Sequence, residues 1–97
     1  MNKFGLPDYV LEKIVDILKK HGVKRAKIFG SRGKGNFKRY SDIDIAIFSD
    51  SDKDLSGKIK SELEDLYIIY NVDVLHYEKT VNTEIKEHID RVGVDIL

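Results

Sequence analysis

Apolar residues recur at three- and four-residue intervals in three stretches of the chain and alternate with polar ones between them. In the first stretch Val10, Leu11, Ile14, Ile17 and Leu18 line one side of a helix, with Glu12, Lys13, Asp16, Lys19 and Lys20 on the other. Pro7 and Asp8 suit its first turn, where proline costs no hydrogen bond and a carboxylate meets the positive end of the dipole. Gly22 stands where a left-handed residue closes the last turn, with His21 as a cap-region residue. Leu55, Ile59, Leu63, Leu66, Ile69 and Tyr70 predict a long second helix, broken by Asn71. From Thr80, a cap with Glu84 nearby, Val81, Ile85, Ile89 and Val92 trace a third helix that ends at Gly93.

The alternating stretches predict strands. Val23 to Phe29 places Lys24, Ala26 and Ile28 opposite Val23, Arg25, Lys27 and Phe29. Ser41 to Phe48 places Ile43, Ile45 and Ile47 on one face and Asp42, Asp44, Ala46 and Phe48 on the other. Val72 to His76 sets Asp73 and Leu75 against Val72, Val74 and His76, and Val94 to Leu97 makes a short last strand. Ser31 to Lys34 suits a single helical turn, Asn36 to Tyr40 a polar loop, and Ser49 to Ser56 a turn leading into a helix. Too few residues separate the first two strands for a helical crossover, so that pair is expected antiparallel and the sheet mixed. The resulting expectation is one α/β (α+β) domain over residues 1–97, a small sheet of about four strands with helices packed on one side.

Composition narrows the chemistry. With 97 residues the core is modest, and with no cysteine, disulfides and thiolate sites are excluded. The three histidines, His21, His76 and His88, show no ligand spacing for zinc. Acidic and basic residues balance at 17 each, which removes the global positive field that drives non-specific nucleic-acid binding, so no direct nucleic-acid partner is expected. No apolar run approaches the roughly 18 residues of a membrane span, and Met1 to Pro7 lacks a signal-peptide core, so a cytoplasmic location is expected. Charge is uneven locally: Arg32, Lys34, Lys38 and Arg39 crowd one loop, and Asp42, Asp44, Asp50, Asp52 and Asp54 follow it.

That crowding falls on Ile28 to Phe48, where the candidate site lies. Asp42 and Asp44 stand two apart on one strand, so their carboxylates share a face with α-carbons roughly 6 to 7 Å apart. Carboxylates so grouped bind hard cations such as magnesium. Asp73, flanked by Val72 and Val74, supplies a third carboxylate if its strand lies beside the second. Three such carboxylates suit two magnesium ions about 3.5 to 4 Å apart, the arrangement that serves in-line displacement at phosphorus. Gly30 lets the chain turn sharply and a phosphate approach the backbone. Ser31 adds donors, and Arg32 and Lys34 can neutralise phosphate charge. The loop is neither a P-loop nor a dinucleotide fingerprint.

Gly30-Ser31-Arg32-Gly33-Lys34-Gly35, five residues, then Ser41-Asp42-Ile43-Asp44-Ile45, with a later Val72-Asp73-Val74, resembles the DNA polymerase beta-like nucleotidyltransferase superfamily, and within it the minimal nucleotidyltransferases, or MNT proteins. The resemblance covers essentially the whole chain. It implies that Gly30 and Ser31 hold the triphosphate of ATP, that Asp42 and Asp44 bind both metals, and that Asp73 completes the nucleophile-side metal. Arg32 falls where minimal members commonly carry arginine, Lys34 takes the place of a second arginine without its bidentate geometry, and Gly33 stands where alanine is more usual. The implied reaction is attack by an acceptor hydroxyl on the α-phosphate of ATP, which releases pyrophosphate and leaves AMP on the acceptor. Tyr40 could stack on a base but as a loop tyrosine is expected to pack, as are His76 and Tyr77.

The acceptor site is expected to come largely from a partner. The resemblance implies a HEPN-type helical ribonuclease toxin, adenylylated on a tyrosine, with the present chain as antitoxin. Two other functions stand beside this one: a non-catalytic module that neutralises a partner by contact, and a nucleotidyltransferase for a small molecule. A homodimer is left open.

Overall fold

The computed structural model describes residues 1–66 and 68–97. Its elements run α1 (Asp8–Lys20), β1 (Arg25–Phe29), α2 (Gly30–Lys34), β2 (Ile43–Phe48), α3 (Ser56–Glu64), β3 (Val72–His76), a 3-10 turn (Tyr77–Lys79), α4 (Thr83–Val92) and β4 (Val94–Asp95). The strands form one sheet in the order β3-β2-β1-β4. β2 pairs antiparallel with β1 and parallel with β3, so the sheet is mixed, as the short link between β1 and β2 requires.

The alternation in β2 gives the sheet two different faces. Ile43, Ile45 and Ile47 are fully buried on one face in a core with Val10, Ile14 and Leu18 of α1 and Ile59 and Leu63 of α3. Ala46 faces the other way and packs with Phe29 and Ile89, against which Leu75, Ile85 and Val92 also lie. The expectation of helices on one side therefore holds for α1 and α3 and is corrected for α4. Ile85, Ile89 and Val92 make an apolar stripe that needs cover, and Ala46 is small enough to let α4 approach the second face.

Helix ends follow the local chemistry. Gly22 has φ +76°, its N–H donates to Lys19 O and Val23 N–H to Leu18 O at 3.0 Å, which satisfies the last carbonyls of α1. The cap of α4 is Asn82, whose Oδ1 accepts from Ile85 N–H at 3.1 Å, and not Thr80. Thr80 is held by the 3-10 turn before it, its Oγ1 donating to His76 O at 2.9 Å. α3 stops at Glu64, short of the Tyr70 expected from the apolar spacing. The β-branched Ile68 and Ile69 and the aromatic Tyr70 favour extended backbone, and the chain must reach Val72 to enter β3 beside Ile43. Tyr67, inside that expected helix, lies outside the described residues. Among the described residues no helix is long and apolar enough to cross a membrane.

The N-terminal segment is part of the fold. Asn2 Oδ1 accepts from the N–H groups of Phe4 and Leu6, and both side chains are buried in the core.

Candidate active site

The site is assembled by strand register. Asp44 of β2 stands beside Asp73 of β3 in the parallel pair and opposite Phe29 of β1 in the antiparallel one. Asp42, just before β2, lies two residues back from Asp44 and is exposed. Gly30 follows Phe29, so a row of three neighbouring strands carries Gly30, Asp44 and Asp73 across one face of the sheet.

Gly30 is required twice over. Its φ is +64°, a left-handed conformation, and a β-carbon there would lie 2.2 Å from Asp44 Oδ2. Gly30→Ala is thus expected to cost about 1–2 kcal/mol from backbone strain, and to displace the Asp44 carboxylate enough to lower the activity of the site about a hundredfold. Unfolding curves and activity measured on one preparation check both parts. Gly33 is a close-approach position as well: its β-carbon would lie 2.5 Å from Ile28 O, which explains glycine where alanine would otherwise serve.

Asp44 is half-buried, and its carboxyl is pushed up, first by burial, then by the charges of Asp73 and Asp42, with His88 acting in the opposite direction. Asp73 is exposed, and its Oδ1 is 2.9 Å from Lys60 Nζ of α3, an ion pair that raises the Lys60 pKa by hydrogen bond and charge. Among the described residues no three carboxylate or histidine groups already converge as a ligand set. Asp73 is instead held by Lys60. The donor chemistry nonetheless fits a hard divalent cation. The three groups are all carboxylate oxygens, the most buried of them is held against its own ionisation first by burial and then by the other two, and the adjoining backbone at Gly30 has no side chain to block approach.

The structure corrects Arg32. Its side chain is 1% exposed, with Nε donating to Ser41 O at 3.0 Å and Nη1 to Phe4 O at 2.8 Å. Nη1 also reaches Gly5 O and Nη2 reaches Arg39 O, both at 3.3 Å, while the guanidinium lies over the rings of Tyr70 and Phe37. Arg32 is therefore a clamp that ties the N-terminal segment and the loop after α2 to the sheet, and its donors are spent on carbonyls rather than presented to a phosphate. Ser31 sits half-buried beside Gly30 at the start of α2, and Lys34 is exposed at its far end.

The other singled-out residues fall as follows. His76 is buried, its Nδ1 accepting from Leu55 N–H at 3.1 Å and its Nε2 2.9 Å from Ser49 O, so the ring is a brace between loops. Tyr77 stacks near Phe48, with ring centroids 4.6 Å apart, and donates to Asp90. His21 bonds Glu62 at 2.9 Å. Tyr40 is exposed, with the Arg39 guanidinium 5.3 Å from its ring centroid.

Two residues near the carboxylates were not anticipated. His88 of α4 lines a cleft of about 380 Å³ with Phe29, Gly30, Asp44, Asp73 and Ile85, its ring edge-on to Phe29 at 6.1 Å. Its signal was present, because His88 lies on the same helix stripe as Ile85, Ile89 and Val92. Lys60 had no such signal, since its partner is set by the crossing of α3 over the edge of the sheet.

Comparison with known proteins bears on this geometry. The family described as Polymerase beta, Nucleotidyltransferase matches residues 12–97. A relative from Methanocaldococcus jannaschii, named Putative protein adenylyltransferase MJ0435, is 41% identical over 90 residues, covering 91% of this chain and 95% of its own. A crystal structure described as a toxin-antitoxin with AMP-PNP superposes with a TM-score of 0.68 at 24% identity, over 90% of this chain and 72% of that one. A crystal structure of the toxin-antitoxin MntA-HepT superposes with a TM-score of 0.63 at 20% identity, over 94% of this chain and 72% of that one. A third, a MntA-HpeT variant in which two aspartates two residues apart are glutamates, gives 0.67 at 22% identity, again over 90% and 72% of the two chains. These superpositions agree with the fold, and the match over residues 12–97 places the chain in the polymerase beta nucleotidyltransferase family.

Proposed function

We propose that the protein transfers AMP from ATP to a tyrosine hydroxyl on a helical HEPN-type toxin and so acts as an antitoxin. The observation that carries this reading is the side-by-side placement of Asp44 and Asp73 next to the β-carbon-free backbone of Gly30. The relative from Methanocaldococcus jannaschii, by its name, supports a protein acceptor, and the toxin-antitoxin neighbours support the kind of partner. The paired aspartates altered in one neighbour have the spacing of Asp42 and Asp44.

Asp42, Asp44 and Asp73 would hold magnesium ions, which when bound neutralise phosphate charge and make the acceptor hydroxyl easier to deprotonate. The chain's own residues supply the rest. Gly30 and Ser31 offer backbone N–H groups and a hydroxyl to the β- and γ-phosphates. Lys34, exposed at the far end of α2, would add a point cation for the same charge. The Asp44 carboxyl, raised first by burial and then by the charges of Asp73 and Asp42, supports a cation at this end of the sheet.

The test is the intact mass of a co-purified helical partner after incubation with this protein, ATP and magnesium. A gain of one or more AMP units, absent with Asp42→Asn, Asp44→Asn, is the expected result. A stable complex with no mass gain would instead assign the protein to neutralisation by contact, and turnover of ATP only with a small hydroxyl compound would remove the protein acceptor.

A further inference from the structure

We propose that Lys60 competes with divalent cations for Asp73 and so sets how tightly the β3 side of the site takes metal. The inference rests on the cation-assisted transfer proposed above and adds a residue of this chain that tunes it.

The place of Lys60 comes from the fold. Ile59 and Leu63 of α3 are fully buried in the core with Val72 and Val74, whereas Asp73, between those two valines on β3, faces the other side of the sheet and lines the cleft with Gly30 and Asp44. β3 is an edge strand. The stem of Lys60, next to Ile59, therefore passes round that edge, and its Nζ lies 2.9 Å from Asp73 Oδ1.

Asp73 stands beside Asp44 in the parallel register, so a cation shared by their carboxylates would lie within a few ångströms of the Lys60 ammonium. Like charges at that range repel, and one carboxylate does not serve both at full strength. The ion pair is open to water, with the Lys60 side chain 40% and the Asp73 side chain 57% exposed, so Lys60 is held loosely enough to be displaced. Glu64 gives it somewhere to go. It stands one turn further along α3 and lines the same groove of about 410 Å³ as Asp42, Lys60 and Asp73. Asp44 has no such rival, since among the described residues no lysine or arginine forms an ion pair with it. The competition is thus confined to Asp73, and Lys60 is a positioning residue that acts through that carboxylate.

Titration of the full chain with Mn2+, followed by the electron paramagnetic resonance signal of the free ion, tests this without reading activity. Wild type is compared with Lys60→Met, Asp73→Asn and the double variant. Lys60→Met is expected to bind Mn2+ about fivefold more tightly than wild type. Against Asp73→Asn the same change is expected to alter affinity by less than about twofold, because the contested carboxylate is gone. Damage to the fold weakens a metal site, so a gain in affinity separates competition from a structural role for Lys60. Unchanged or weaker binding in Lys60→Met, or a gain that persists at full size beside Asp73→Asn, would overturn the proposal while leaving the transfer reading in place. Failure of both wild type and Lys60→Met to bind Mn2+ at millimolar concentrations would sink the metal-assisted reading itself, and this inference with it.

Discussion

Asp44→Asn is expected to lower AMP transfer at least about a thousandfold while leaving the protein no less stable. The activity loss follows from the place of Asp44 between Gly30 and Asp73, where it would contribute to holding every cation at the site. The stability result follows from its titration. Burial first, then Asp73 and Asp42, raise the Asp44 carboxyl above its unfolded value, so the folded chain prefers the protonated acid. Its contribution to stability is complete below the unfolded carboxylate range and is lost as pH rises through the folded value. Asparagine keeps the shape and removes the charge. Without divalent cation, the variant should therefore melt at or above the wild-type temperature at pH 7, and the gap should close as pH falls below the carboxylate range. Thermal melts across that range check the sign; a variant that melts well below wild type at pH 7 would show that Asp44 is there for structure.

Arg32→Met is expected to do the reverse, lowering stability by about 3–5 kcal/mol. Removing the guanidinium strips charged donors from the carbonyls of Phe4, Gly5, Arg39 and Ser41, and each buried acceptor left without a partner costs about 1–3 kcal/mol. Stacking on Tyr70 and Phe37 is lost as well. For a domain of this size the fall in melting temperature should exceed about 15 °C. Arg32→Lys should recover little, because one ammonium cannot reach carbonyls spread over the N-terminal segment and the loop after α2. Denaturant unfolding and AMP-PNP binding to the folded fraction separate the roles. A variant with wild-type stability and no nucleotide affinity would restore Arg32 to the phosphate site.

The different fates of these two residues show what the sequence carries. Asp44 was legible because alternation along a strand fixes the face of every second residue, and Ile43, Ile45 and Ile47 left no doubt which face was apolar. Asp73 required one further condition, adjacency of β3 to β2, which the parallel register meets. Arg32 stands in the right place along the chain for a phosphate ligand, yet its side chain runs back into the protein, because burial of Phe4 and Leu6 brings two carbonyls over it. No local pattern in Met1 to Pro7 announces that contact. α4 was legible as a helix and misplaced as to face, since periodicity gives a stripe but not the sheet face that it covers. The early end of α3 reflects the same limit: Leu66 and Tyr70 pack against the core at helical spacing without being helical.

The central claim is that AMP, and not a phosphate, leaves ATP for a protein hydroxyl. The most direct measurement supplies ATP labelled on the α-phosphate or, in parallel, on the γ-phosphate to the protein, magnesium and the helical partner, and follows label on the partner. Transfer of the α label alone, lost with Asp42→Asn, Asp44→Asn, is the predicted result. Transfer of the γ label, or of neither while the complex forms, would contradict it.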